Sequence, residues 1–204
     1  MTSPEPVFPI LSVLTFTPLL GVLLIMLFKS DKAARFIALG VSCLVFGISL
    51  ALMAAFNPAS SVLQFNEYVP WFDGGHIGYR MGVDGLSVYF VVLAAFLTPV
   101  CILASWHSIE HRVREYMIAF LVLETMMIGT FCALDAVLFY LFFEGVLLPM
   151  FLIIGVWGGQ RRIYSAFKLF LYTLLGSVLM LIAIIYMTLQ VGTSDMIFLT
   201  QHHW

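Results

Sequence analysis

Charge is what this chain has least of. Asp, Glu, Lys and Arg make up 10% of its 204 residues, where soluble domains carry about a quarter. With 62% hydrophobic residues and a mean hydropathy of +1.07, that scarcity excludes a soluble fold and leaves an all-α integral membrane protein. No Lys or Arg precedes Lys29, so the basic n-region of a secretory signal is missing. Cysteine is rare too. Cys43, Cys101 and Cys132 lie in apolar runs at unrelated spacings, which suits small buried side chains and excludes a disulfide or metal framework. There is no glycine-rich nucleotide loop and no cysteine cluster for iron–sulfur ligation, so the chain carries no visible redox centre or cofactor site. The net charge of −2 is spread over short loops and gives no reason to expect a nucleic-acid partner. No tandem repeat, low-complexity tract or soluble domain stands out.

What remains is a series of six apolar spans, each long enough to cross a bilayer as a helix. They run from about Phe8 to Phe28, Phe36 to Phe56, Leu86 to Trp106, Tyr116 to Leu134, across the stretch after Asp135 to Trp157, and from about Phe167 to Leu189. A polar segment over residues 57–84 separates the second span from the third. Lys29, Lys32, Arg35, Arg112, Arg114, Arg161, Arg162 and Lys168 follow the odd-numbered spans, leaving only Arg80 on the opposite side with Glu5, Glu67, Asp73, Asp84, Asp135 and Asp195. Basic residues concentrate in cytoplasmic loops, so both ends of the chain are expected outside the cytoplasm and 57–84 forms an extracytoplasmic loop.

The fifth span carries one ionisable side chain, Glu144. At 1.5 Å per residue it lies about 13 Å from Asp135 and about 20 Å from Trp157, near mid-membrane. An acid at that depth needs a partner in the bundle or a water-filled cavity, and marks function by default. Pro149 adds weight, because proline lacks an N–H and frees the carbonyl four residues back, that of Gly145. The alternative is a protonated Glu acting as polar glue between helices; depth and the adjacent proline together favour function. Glu124, about 12 Å inside the fourth span, supports a functional role and glue equally. Lys168 opens the sixth span on one face with Tyr172 and Leu175, and its stem can snorkel to the interface or serve a proton relay.

Other features have structural readings. Trp71, Phe72 and Tyr79 suit interfacial aromatics, Asp73-Gly74-Gly75 a turn, and His76 a solvated loop. Asp84 precedes the third span and caps it. Pro99 frees the carbonyl of Ala95 and predicts a kink. His107 and His111 are four apart, yet beside Glu110 and Arg112 in a basic loop they read as solvated, as do His202 and His203.

The stretch Tyr116 to Met187 contains LDAVLFYLFFEGVLLPMFLIIGVWGG followed by RRIYSAFKLFLYTLLGSVLMLIAI. Together with Met81-Gly82-Val83-Asp84-Gly85-Leu86-Ser87 it resembles the antiporter-like subunit M family of NADH:quinone oxidoreductase, chain 4 of respiratory complex I in mitochondria. The resemblance covers nearly the whole chain. It implies that Glu144 is a key carboxylate of a proton channel, modulated by a lysine on the seventh helix. It also implies that Lys168 matches the lysine of a K-F-F-x-Y-T motif, with Leu169 in place of the first Phe. The family's roughly fourteen helices form two inverted repeats, a common transporter plan. This chain stops after the sixth span and so is expected to be a fragment or truncated product, with the fold being the first part of that antiporter-like inverted-repeat plan.

Residues 1–115 would then form an N-terminal three-helix membrane segment, and 116–204 the incomplete start of the proton-channel repeat. The reading is a proton-translocating membrane-arm subunit that couples electron transfer from NADH to quinone to proton transport, with Glu144, Lys168 and Glu124 as candidate proton-transfer residues. Burial favours a neutral acid and an approaching ammonium favours the carboxylate, so moving a lysine could load or release the proton. NADH, FMN, iron–sulfur clusters and quinone would belong to partner subunits. Partners would be other complex I membrane subunits, antiporter-like neighbours above all, within the lipid bilayer. The location would be a bacterial inner membrane, or the mitochondrial inner membrane if the gene is organellar. The alternatives are a subunit of a cation/proton antiporter or membrane-bound hydrogenase, and a structural scaffold that moves no protons.

Overall fold

In lipid every backbone N–H and C=O must pair within its own segment, so apolar runs of this length become helices. The computed structural model describes residues 9–28, 30–58, 63–71 and 77–202. Six helices in it are long and apolar enough to cross a membrane: α1 (Ile10–Leu27), α2 (Asp31–Ala55), α3 (Ser87–Ala104), α4 (Val113–Cys132), α5 (Ala136–Trp157) and α6 (Arg162–Val191). A short α7 (Met196–Gln201) follows. The spans expected from the sequence are all present, but α2 and α6 each begin about five residues early. Their first turns take in Lys32 and Arg35, and Arg162, whose long stems let helix continue into the interface while the charge stays wet.

Within segment 57–84 the described residues are not simply a polar loop. They contain an antiparallel hairpin of β1 (Gln64–Pro70) and β2 (Gly78–Val83). The expected turn at Asp73-Gly74-Gly75, together with Phe72 and His76, lies outside the described residues. Between Gln64 and Glu67 the register slips, with Phe65 and Asn66 of β1 opposing Gly82 of β2, and Phe65 takes φ 55°. Such a bulge re-aims the side chains beyond it, and here it turns Glu67 inward while its neighbours in β1 remain more exposed.

α4 is the central helix, packed on α1, α2, α3 and α5, while α6 packs on α5. Of three apolar clusters among the described residues, one is formed by Ala136, Ile184 and Leu199 and the other two stack along the bundle. One joins Leu11, Leu14, Val45, Leu52, Val91, Ile128 and Phe142 with Met81 and Val83 of the hairpin. The other joins Ile25, Ala34, Ile102, Met117 and Leu121 at the opposite end. At that second end Arg35 Nη2 donates to the Ile109 carbonyl at 2.7 Å and Trp157 Nε1 donates to the His111 carbonyl at 3.0 Å. Lys32, Arg35, Arg112, Arg114, Arg161 and Arg162 thus share one end of the bundle, and Glu67, Arg80, Asp84, Asp135 and Asp195 the other. His107 and His111 are exposed in the α3–α4 connection, which is not helical across both.

Orientation is open to direct test. In a background lacking the native cysteines, Cys at Ser30 or Gln160 should react with an impermeant maleimide only from the cytoplasmic side. Cys at Val69 should react only from the other. The reverse pattern would invert the molecule, and Ser30 and Gln160 on opposite sides would overturn the six-span count.

Candidate functional site

α5 starts where Asp135, 3% exposed, accepts from Val137 N at 2.9 Å and Leu138 N at 3.2 Å. A side-chain oxygen at this position satisfies amides that have no partner within the helix. The other Asp135 oxygen accepts from the Ser194 hydroxyl and from Gly78 N. Around it Leu134 N donates to the Arg80 carbonyl at 2.9 Å, Ala136 N to the Ser194 carbonyl at 2.8 Å, and Met196 N to the Leu134 carbonyl at 3.0 Å. Arg80 pairs with Asp195 and lies 4.5 Å over the Tyr68 ring. One polar clasp therefore joins the hairpin, the start of α5 and the segment after α6.

A second clasp fixes α1. Glu67 accepts from Leu11 N at 2.7 Å and Ser12 N at 3.1 Å, and from the Ser12 hydroxyl, which also shares a 2.8 Å hydrogen bond with the Tyr79 hydroxyl. Burial pushes the Tyr79 hydroxyl up to about 12, opposed by the Ser12 hydrogen bond and helped by the charge of Glu67. Tyr79 is thus half-buried and bonded, more than an interfacial ring. Asp84 caps α3 as expected. It accepts from Ser87 N at 2.6 Å and Leu86 N at 3.0 Å while the Ser87 hydroxyl accepts from Asp84 N. These amides, Ser87 first, hold the Asp84 carboxyl below its ordinary value.

Along α5, Glu144 lies eight residues from Ala136, about 12 Å below the outer end. It is partly buried, and its Oε2 is enclosed with no hydrogen-bond partner among the described residues. Its helical face is the one that meets α6: Tyr140 one turn before it packs on the cluster of Ala136, Ile184 and Leu199, and Phe151 two turns after it meets Phe167 and Phe170. Antiparallel packing sets Glu144 opposite residues 173–177 of α6. Thr173 and the buried Ser177 lie there, with the Ser177 hydroxyl donating to the Leu174 carbonyl at 3.0 Å. Sequence reasoning passed over both; their signal is two hydroxyls four apart in an otherwise apolar run. Gly145 allows the close α4–α5 approach, since a Cβ there would fall 2.6 Å from the Met126 sulfur. Pro149 is buried within α5.

The other two candidates sit apart from Glu144. Lys168 is in the second turn of α6, exposed, with Nζ 5.9 Å from the Tyr164 ring. Eight residues from the level of Glu144, it lies about 12 Å toward the basic end and forms no ion pair with it. Glu124 is 1% exposed and faces Thr98 of α3. Because α4 begins at Val113, Glu124 is about 17 Å from the start of its helix, deeper than a span opening at Tyr116 implied. It is also eight residues from Cys132, so both acids lie at one depth. Met126 and Gly129 turn toward α5, which puts Glu124 on another face of α4. Among the described residues no three His, Cys, Asp or Glu side chains converge as a metal site.

Comparison with known proteins divides the chain at Cys132. Residues 11–132 match the family model for the amino terminus of NADH-ubiquinone oxidoreductase chain 4. Residues 133–203 match the transmembrane family of NADH:quinone oxidoreductase and the Mrp antiporter. NADH-quinone oxidoreductase subunit M of Rhodobacter capsulatus is 52% identical over 194 residues, covering 92% of this chain and 37% of that protein. NADH-ubiquinone oxidoreductase chain 4 of Chondrus crispus is 46% identical over 185 residues, covering 89% and 38%. This chain thus spans less than two-fifths of the length of these relatives. A chain of respiratory complex I from Thermus thermophilus, solved with bound NADH, superposes with a TM-score of 0.81 at 26% identity over 95% of this chain and 39% of that one. A chain of the Mrp complex from Dietzia gives 0.74 at 20% identity over 91% and 20%, a likeness of fold alone.

Proposed function

Because this chain belongs to the family of NADH-ubiquinone oxidoreductase chain 4 and its bacterial counterpart subunit M, we propose that it serves the membrane arm of a proton-translocating NADH:quinone oxidoreductase. In this reading α4–α6 begin the antiporter-like repeat and Glu144 takes up and releases a proton. The observation that carries it is an enclosed carboxyl oxygen without a partner among the described residues, at mid-membrane depth, on the α5 face that meets α6. An acid so placed is held for exchange more readily than one fully tied into structural hydrogen bonds. Thr173 and Ser177 supply hydroxyls at the same level. Lys168 supplies a cation two turns away that a shift of α6 would bring closer or remove, changing the balance between acid and carboxylate.

NADH, flavin, iron–sulfur clusters and quinone would be handled by partner subunits, with antiporter-like membrane neighbours beside this chain. The membrane would be a bacterial inner membrane or, for an organellar gene, the mitochondrial one. Affinity purification from native membranes tests the assignment. A tagged chain should bring down flavin- and cluster-bearing subunits with NADH-dependent quinone reduction. Recovery with subunits that exchange cations for protons and lack redox centres would favour a stand-alone antiporter.

A further inference from the structure

Among the described residues, a second set of buried polar groups without hydrogen-bond partners lies inside the group formed by α1, α2, α3 and α4. Among the described residues neither carboxyl oxygen of Glu124 has a hydrogen-bond partner, and neither has the hydroxyl of Thr15 on α1, although Thr15 is 0% and Glu124 1% exposed. The Thr98 hydroxyl faces Glu124 but already donates its hydrogen to the Ala94 carbonyl at 3.1 Å. It has lone pairs left to accept with and no second proton to give. Two buried prolines flank this level, Pro18 in α1 and Pro99 in α3. Each frees the carbonyl four residues back, those of Leu14 and Ala95.

Register places these groups near one another. A Cβ on Gly21 of α1 would meet Leu121 of α4 at 2.9 Å. Glu124, one turn outward, therefore stands level with Pro18, with Thr15 about a further turn out. Phe90 stacks on Phe131, the same antiparallel register that sets Thr98 opposite Glu124.

An ionised carboxylate here would face an apolar core with no cation or free donor against it among the described residues, an unfavourable burial. A neutral acid can donate to the free lone pairs of Thr98. Buried polar groups left over by the protein are normally satisfied by internal water, which makes about three hydrogen bonds per molecule. We infer that Glu124, Thr98 and Thr15 form an internal water-binding site in which Glu124 holds an exchangeable proton, separate from Glu144 and on another face of α4. This site does not depend on the role proposed for Glu144. Its ligand is water, and its chemistry is that of a carboxylic acid hydrogen-bonded to a threonine oxygen.

Infrared difference spectroscopy on the native membrane assembly containing this chain tests it, comparing wild type with Glu124→Gln, Thr98→Val and Glu144→Gln. The Glu124→Gln difference should show loss of one protonated-carboxyl C=O stretch, and in D2O that band should move down because water reaches the proton. Thr98→Val keeps the acid and the side-chain shape, and should move the band up by removing its acceptor. Should Glu124→Gln fail to assemble, this shift alone decides. Glu144→Gln should leave the band in place. Loss of a carboxylate band pair in its stead, or a band indifferent to both D2O and Thr98→Val, overturns the inference. Undiminished proton transport by Glu144→Gln would count against the function proposed above without moving this band.

Discussion

Replacing Glu144 with Gln in the assembled complex should, if this chain serves a proton-translocating NADH:quinone oxidoreductase as proposed, lower proton translocation, and the electron transfer coupled to it, about tenfold or more while assembly survives. Glutamine keeps the size and an acceptor oxygen but has no titratable proton. The side chain is only partly buried and its enclosed Oε2 bonds to none of the described residues, so little packing or hydrogen bonding is lost. Asp at this position retains the proton with a shorter reach and should keep part of the activity. The ordering wild type, Asp, Gln is therefore the expected result in a proton-flux assay with matched amounts of complex. If both variants fail to assemble, Glu144 serves packing; if Gln transports normally, the chain is a scaffold at this position.

The second large effect concerns stability. Asp135→Ala should destabilise the outer end of the bundle by about 3 kcal/mol, from a lost helix cap and buried partners left unsatisfied. It removes the acceptor of Val137 N, Leu138 N, the Ser194 hydroxyl and Gly78 N together. Asp135→Asn keeps one acceptor oxygen and should recover roughly half of that loss. Thermal unfolding of the detergent-solubilised protein, followed by tryptophan fluorescence, measures both. Equal midpoints for Ala and wild type would show that the backbone bridges around Leu134 and Ala136 hold α5 unaided.

The helices were legible because long apolar runs admit few alternatives in a membrane. Glu144 stood out as a candidate because it is the one acidic or basic side chain in its run. The direction each acid faces was not legible. In a helix that is apolar all round, periodicity carries no sign of which side meets a neighbour, so Glu124 and Glu144 look alike until packing sends one toward α3 and the other toward α6. The hairpin escaped notice because β1 reads Gln-Phe-Asn-Glu-Tyr-Val-Pro, with little alternation and a bulge that breaks what there is. Glu67 and Arg80 looked like loop charges since their partners, Ser12 and Asp195, are 55 and 115 positions away in the chain.

The glycine contacts of α4 and α5 also limit how the molecule can work as a machine. Gly145 seats against Met126, and Gly129 seats against the ring of Phe142. The two helices are keyed together at adjacent teeth, with the outer end of α5 pinned by Asp135. Rolling α5 about its own axis would drive the Phe142 ring and the Met126 sulfur into backbone, so that degree of freedom is locked. If Glu144 exchanges a proton as proposed, its surroundings would change by a swing about its own side-chain bonds or by a slide of α6 past it. In that reading α5 is the stator of the pair, and the moving part lies on the other side of the acid.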